Sequence, residues 1–219
     1  MGQSEQLTQA EYDRHIAEGT FRLAFVGMSN VGKSYRAQVL QDECGFFWYR
    51  VDQEIFRSLG LKSEDEVAAW LGFPDSPDYH DRERIYLEAE ARYTKVDFLD
   101  THGKNLVFDT TGSIIHLDDP TTMWLKENCL IVNIDAGDDS LETMMQKFAE
   151  KPKPLVWNGF YAPRNGETEK ETLARCYPAL LSDRLKKYRR LAHITIPVRK
   201  LYDKNGEATL RIIRSYLNA

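Results

Sequence analysis

Two rhythms of apolar residues run along this chain. In the first, short runs rich in β-branched and aromatic residues stand between polar stretches: Phe21 to Val26, Phe46 to Val51, Leu106 to Phe108, Leu130 to Ile134 and Ile194 to Ile196. Each predicts a short strand. In the second, apolar residues recur three or four positions apart, which predicts helices. Thr8-x-x-Glu11 is a capping box opening a short helix, with Tyr12 and Ile16 one turn apart and Gly19 as its stop. Tyr35 to Asp42 continues as a helix free of Gly and Pro. Ser63-x-x-Glu66 opens another, with Val67, Trp70 and Leu71 on one face and Gly72 at its end; Pro74 and Pro77 then mark a loop. From Asp81 to about Leu99 the spacing of Ile85, Leu87, Ala89, Ala91, Val96 and Leu99 among charges predicts a long amphipathic helix.

Ser140 to Ala149 predicts a helix that Lys151-Pro152-Lys153-Pro154 stops, and a polar loop follows from Asn158 to Thr168. Thr168-x-x-Glu171 caps the next helix, which Pro178 interrupts or restarts, with Leu181, Leu185, Tyr188 and Leu191 on one face. Leu210, Ile213 and Leu217 face inward from a closing helix. Strands alternating with helices imply an α/β fold of three layers, a five-stranded parallel sheet covered on both sides. Ligands in such folds bind at the carboxyl ends of the strands, where Asp52 and Asp109 fall.

One motif carries chemistry. Gly27-Met28-Ser29-Asn30-Val31-Gly32-Lys33-Ser34 completes the G-x-x-x-x-G-K-[ST] phosphate-binding pattern between a predicted strand and a predicted helix that begins near Tyr35. Gly27 and Gly32 let the backbone curl so that its N–H groups face phosphate oxygens, and the helix adds its positive end. Lys33 then reaches the β- and γ-phosphates, and the Ser34 hydroxyl can ligate Mg²⁺. The expected ligands are ATP, bound by residues Gly27 to Tyr35, and Mg²⁺. Asp109, at the end of an apolar run, stands where such enzymes keep a second metal-associated carboxylate; the alternative is a cap on the turn through Thr111 or Gly112.

Composition narrows the partners. The 219 residues suffice for one domain, and a net charge of −5 leaves no basic footprint for nucleic acid. Cys44, Cys129 and Cys176 are scattered and odd in number, which fits a reducing, cytoplasmic setting rather than a disulfide framework. No apolar run approaches membrane-spanning length, so no membrane partner is expected. The N-terminus is polar, unlike a secretory signal, and Gln6 departs from the myristoylation pattern begun by Met1-Gly2. None of the histidines has metal or triad spacing, and Tyr79-His80 and His116 read as surface or loop. A monomer or homodimer acting on a small molecule is the expectation.

Four stretches together resemble the shikimate kinase branch of the P-loop small-molecule kinases. They are the phosphate loop, Val51-Asp52-Gln53-Glu54-Ile55, Lys153-Pro154-Leu155, and Leu180 to Tyr188 with Leu191-Ala192. The resemblance implies a single P-loop kinase domain over residues 1–219 with a lid at about 147–170. It implies transfer of the ATP γ-phosphate to a hydroxyl of a small metabolite. Asp52 would contact the acceptor hydroxyls and help deprotonate the attacking one, Lys153 would be the lid cation, and Arg184 would grip an acidic group. Arg82 or Arg84, of which Arg84 is taken, would be a further acceptor contact. Thr111 and Gly112 fall where the family has a triple Gly and would also line the acceptor site.

The chain departs from that pattern at Arg50, where the family has a metal-supporting Asp, at Lys153 in place of Arg, and at Thr110 to Ser113. The acceptor is therefore open, with a nucleoside or nucleotide as the alternative. A nucleotide-binding regulatory protein with little transfer activity is the reading from another class. Each residue has a plainer alternative: an N-cap for Asp52, a surface ion pair for Arg50, a solvated lysine for Lys153, structural pairing for Arg184, and solvated helix faces for Arg82, Arg84 and Arg175. Trp157, Phe160 and Tyr161 either shield the site or pack under a loop.

Overall fold

Strand β1 (Arg22–Val26) is buried along its length, Leu23 to Val26 having no exposed surface, because neighbours flank it on both edges and helices cover both faces. The computed structural model of the protein describes residues 7–96, 99–138, 140–150 and 155–219. Beside β1 lie β3 (Leu106–Asp109) and β4 (Leu130–Asp135), with β2 (Phe47–Arg50) and β5 (Ile194–Pro197) outermost, in the order β2-β3-β1-β4-β5. All four pairings are parallel. The register sets Phe25 opposite Asp109, Asp109 opposite Arg50, and Val26 opposite Asn133. The carboxyl ends of the inner strands thus share one edge, and the site forms there.

Helix α1 (Gln9–Glu18) carries the expected capping box, Thr8 with Glu11, and its Gly19 stop is left-handed at φ 70°. Helix α2 (Lys33–Cys44) follows the phosphate loop, and α3 (Val51–Leu59) begins directly after β2. Helix α4 (Glu64–Leu71) starts at Ser63 as predicted, and α5 (Tyr79–Thr94) packs on α3. Helix α7 (Ser140–Glu150) packs on the long α8 (Glu169–Leu191), whose Thr168–Glu171 capping box is complete. Helix α9 (Gly206–Ser215) closes against α1, where Arg214 pairs with Asp13 at 2.7 Å. Together these form the three-layer α/β/α arrangement.

Four expectations change. The second strand stops at Arg50, and Val51 already belongs to α3, so Asp52 stands in a first helical turn rather than at a strand end. Helix α5 stops at Thr94, and its buried line is Tyr79, Glu83, Tyr86, Glu90 and Thr94, not the line through Ile85, which is 38% exposed. That line keeps the 3.6-residue period only when two acids are counted as core positions. Helix α6 (Asp119–Asn128) was not anticipated, although Asp118 caps it and Pro120 sits in its first turn. Helix α8 runs unbroken through Pro178, so the proline neither interrupts nor restarts it.

A second, smaller core lies apart from the sheet, made of Leu71, Tyr79, Phe148, Trp157, Leu173, Cys176 and Leu180. Trp157 is 1% exposed there, with Phe148 and Tyr161 edge-on to it, so this aromatic group packs rather than lining an opening. The lid expectation at Lys153 lies outside the described residues, and residues 155–168 are irregular.

Pro178 removes one N–H from α8 and crowds the carbonyl one turn before it, a cost that long flanking helix and buried contacts must offset. Pro178→Ala is expected to stabilise the protein by about 1–2 kcal/mol, less than the full helix penalty because the unfolded chain also gains freedom. Urea denaturation checks this, and a loss of stability would show that the proline shapes the helix to its neighbours.

Candidate active site

The loop from Gly27 to Ser34 curls because three of its residues have positive φ: Gly27 at 141°, Asn30 at 64° and Gly32 at 91°. Only glycine fits at position 27, where a Cβ would fall 2.6 Å from the Ile134 carbonyl oxygen. Met28 and Val31 point their side chains into the core, leaving the backbone of Ser29, Asn30 and Gly32 to face outward. The first turn of α2 has no side-chain cap and no acidic residue, so its N–H groups are free for an anion.

Lys33 is only 8% exposed, and its ammonium donates to the Gly27 and Met28 carbonyls at 2.9 and 3.0 Å. Burial pulls its pKa down to about 8, against the opposing pull of Asp109. Asp109, the last residue of β3, is 4% exposed; burial raises its pKa, while the Ser34 hydroxyl and Lys33 hold it down. The Trp48 indole N–H points at this carboxyl without full hydrogen-bonding geometry. Asp52 lies close enough to raise the Asp109 pKa further. Its Oδ1 accepts from the Gln53 N–H at 2.8 Å, and its Oδ2 lies 3.5 Å from the Arg50 guanidinium, which stacks over Trp48.

Next to this group the turn Thr110 to Ser113 is held from several sides. Thr110 donates to the Phe25 carbonyl at 2.7 Å. The Thr111 and Ser113 hydroxyls both donate to Glu90, which has no exposed surface. Burial pushes the Glu90 pKa up to about 7 despite those two donors and the nearby charges of Arg184 and Lys33. Tyr188 donates to the Gly112 carbonyl. A Cβ on Gly112 would meet Ser29 Oγ at 3.2 Å and Arg184 Nη1 at 3.8 Å. The phosphate loop and a cation from α8 therefore meet across one glycine.

Arg184 is 7% exposed, and no carboxylate pairs with it among the described residues. Its Nη2 donates to the Val156 carbonyl at 2.7 Å, and its Nε has no acceptor. On the other side of the phosphate loop a cleft of about 580 Å³ is lined by Gly32, Tyr35, Met144, Leu201, Tyr202 and Asp203. Tyr35 is 59% exposed and packs against the Arg36 guanidinium.

No family model matches the chain, and no curated protein matches it in sequence. Solved structures do match in shape. The shikimate kinase of Acinetobacter baumannii in complex with shikimate is 23% identical at TM-score 0.55, over 91% of this chain and 96% of its own. That of Bacteroides thetaiotaomicron is 14% identical at TM-score 0.58, over 89% and 97%. That of Aquifex aeolicus is 19% identical at TM-score 0.51, over 88% and 93%. The fold is that of the shikimate kinases.

Within this shikimate kinase fold the predicted residues divide. Gly27 to Ser34, Asp52, Asp109, Thr111, Gly112 and Arg184 come together at the carboxyl edge of the sheet. Arg84 does not: it is exposed and ion-paired with Asp81 and Glu88 on the outer side of α5. Arg82 donates to the Trp70 carbonyl and pairs with Asp78, and Arg175 ties Glu167 and the Ala162 carbonyl. Tyr79 and His116 are not surface residues. Tyr79 is 1% exposed, and burial pulls the His116 pKa down to about 3 with both ring nitrogens unpartnered.

Sequence reasoning missed Glu83 and Glu90. Their spacing of seven along α5, each four after a tyrosine, was the available signal. The residues present fit a phosphate chain with Mg²⁺. No group of three His, Cys, Asp or Glu gathers as a metal cage among the described residues, and Mg²⁺ carried with phosphate oxygens and water needs only one or two protein ligands. Ser34 and Asp109, whose side chains meet, would be those ligands. Among the described residues no helix is long and apolar enough to cross a membrane.

Glu90 gives a pH-dependent prediction. Its pKa rises on folding from 4.5 to about 7, so the folded protein binds the extra proton and the stability it lends is lost as pH rises through 7. Wild type should lose up to about 3 kcal/mol relative to Glu90→Gln between pH 4.5 and pH 8. Urea titrations across that range check it; a constant difference would place the carboxyl in a wetter setting.

Proposed function

We propose that this protein is an ATP-dependent kinase that phosphorylates a hydroxyl of a small metabolite bearing an acidic group. The observation that carries the reading is the meeting at Gly112. A phosphate loop alone supports nucleotide binding, but a buried arginine across Gly112 from that loop, with no carboxylate partner among the described residues, supplies an anchor for a second substrate. Arg184 offers the fork geometry that suits a carboxylate or phosphate. The likeness in fold to shikimate kinases, one of them solved in complex with shikimate, supports a small acceptor.

The chemistry asked of the chain is positioning and charge neutralisation. Backbone N–H groups of residues 27–34 cradle the phosphates, and Lys33 leaves its own loop carbonyls for phosphate oxygens. Mg²⁺, held through Ser34 and Asp109, would neutralise phosphate charge. The cleft beside Tyr35 has room for the nucleoside. Asp52 orients the acceptor hydroxyl and takes its proton as the acceptor oxygen bonds to the γ-phosphorus and the bond to the ADP oxygen breaks. Thr111 and Gly112 line the acceptor side, and Lys153 is assigned as the cation approaching the transferred group. The cytoplasm is the setting proposed for this reaction.

One observation favours a second reading, a nucleotide-binding regulatory protein. Arg50 lies 3.5 Å from Asp52, so the carboxylate assigned as base already faces a guanidinium instead of standing free for an acceptor hydroxyl.

A coupled assay for ADP release with Mg²⁺, ATP and a panel of hydroxylated acids led by shikimate, with nucleosides included, separates the two. The expected result is turnover that requires one acceptor. Lys33→Ala should lower kcat/KM by about 10²–10³-fold, the scale seen when one preorganised charge-stabilising donor is removed. Arg184→Ala should raise acceptor KM by about tenfold or more while leaving ATP KM unchanged. ATP binding with no turnover across the panel would favour the regulatory reading.

A further inference from the structure

Glu83 is a buried carboxylate that the phosphoryl-transfer scheme does not use. It is 8% exposed, and its Oε1 accepts from the Trp157 N–H at 2.7 Å, the Asn158 N–H at 2.9 Å and the Tyr79 hydroxyl at 2.6 Å. The Tyr79 oxygen also lies 2.6 Å from the Leu155 carbonyl and accepts from the Trp157 N–H at 2.9 Å. Arg184 takes the remaining residue of the segment, donating to the Val156 carbonyl. Side chains from α5 and α8 therefore grip the backbone of four consecutive residues, 155–158, with no ladder of secondary structure involved.

A carboxylate is costly to bury without a cation, and no Lys or Arg pairs with Glu83 among the described residues. Two backbone amides and a phenol satisfy it instead, through charge-assisted bonds roughly twice as strong as neutral ones. The same short segment holds the acceptor that orients Arg184, the only one it has among the described residues. With Nη2 fixed on Val156, Nη1 faces Gly112 and Nε is left without a partner. The direction of the guanidinium thus depends on where the Val156 carbonyl stands, and Glu83 sets that through the next two residues.

We propose that Glu83 is a positioning residue of the acceptor site: it holds residues 155–158 so that the Val156 carbonyl aims Arg184 at Gly112. This rests on the reading of Arg184 as the acceptor's anchor. It predicts that a residue touching neither substrate controls acceptor affinity and leaves nucleotide affinity alone.

The test compares the full-length protein with Glu83→Ala and the conservative Glu83→Gln, which keeps an accepting oxygen. Tyr79→Phe serves as a milder variant if Glu83→Ala does not fold. The first readout needs no acceptor: the ¹H–¹⁵N signal of the Arg184 Nε–H, assigned by its absence in Arg184→Lys. Glu83→Ala should move or broaden that signal, and Glu83→Gln should restore it. The second readout is kinetic. Glu83→Ala should raise acceptor KM about tenfold or more with ADP affinity within about twofold, and Glu83→Gln should recover most of the loss. An unmoved Arg184 signal, or acceptor KM and ADP affinity weakening in parallel, would overturn the proposal. If wild type phosphorylates nothing on the panel, the kinase reading fails, while the Arg184 signal still decides whether Glu83 positions that side chain.

Discussion

A lysine ammonium nearly sealed from water is the constraint on which the rest of the site depends. Lys33 is kept at the start of α2 by the curl of the phosphate loop, and its donors turn back onto two carbonyls of that loop. Burying a cation costs free energy unless its donors are satisfied and opposite charge lies near. The loop carbonyls supply the first condition and Asp109 the second. That pairing fixes what can surround it: a parallel register that brings Asp109 to the sheet edge, a glycine at position 27, and a helix start free of acids.

Around that centre the charges are arranged in alternation. Lys33 feels Arg184 as a like charge and Asp109, Asp52 and Glu90 as opposite ones, and Glu90 in turn feels both cations. Each acid is held differently: Asp109 by Ser34 and Lys33, Asp52 by Arg50, Glu90 by two hydroxyls. The proposed kinase reading uses this arrangement to bring two anionic molecules together. The proposed acceptor anchor rests on a buried Arg184 that has no carboxylate partner among the described residues.

Much of this was legible in the sequence because backbone needs wrote it there. The phosphate loop is announced by glycines that no other residue can replace, and the strands by runs of buried residues on both faces. The capping boxes at Thr8 and Thr168 show the same directness. What stayed hidden was decided by side chains meeting from distant parts of the chain. Glu83 and Glu90 look like ordinary surface acids, since the donors that let them be buried come from residues 111–113 and 157–158. Arg84 satisfied the pattern of a basic residue in the right region, yet the helix turned it outward once the acids claimed the inner face. Pro178 signalled a break that tertiary packing overrode.

The central claim is that the loop from Gly27 to Ser34 takes a triphosphate through Lys33. Calorimetric titration of Mg²⁺·ATP into wild type and Lys33→Ala tests it most directly. Saturable binding by wild type, weakened at least about a hundredfold in the variant (near 3 kcal/mol), is the predicted result. No binding by wild type at millimolar nucleotide, or equal binding by both proteins, would contradict it.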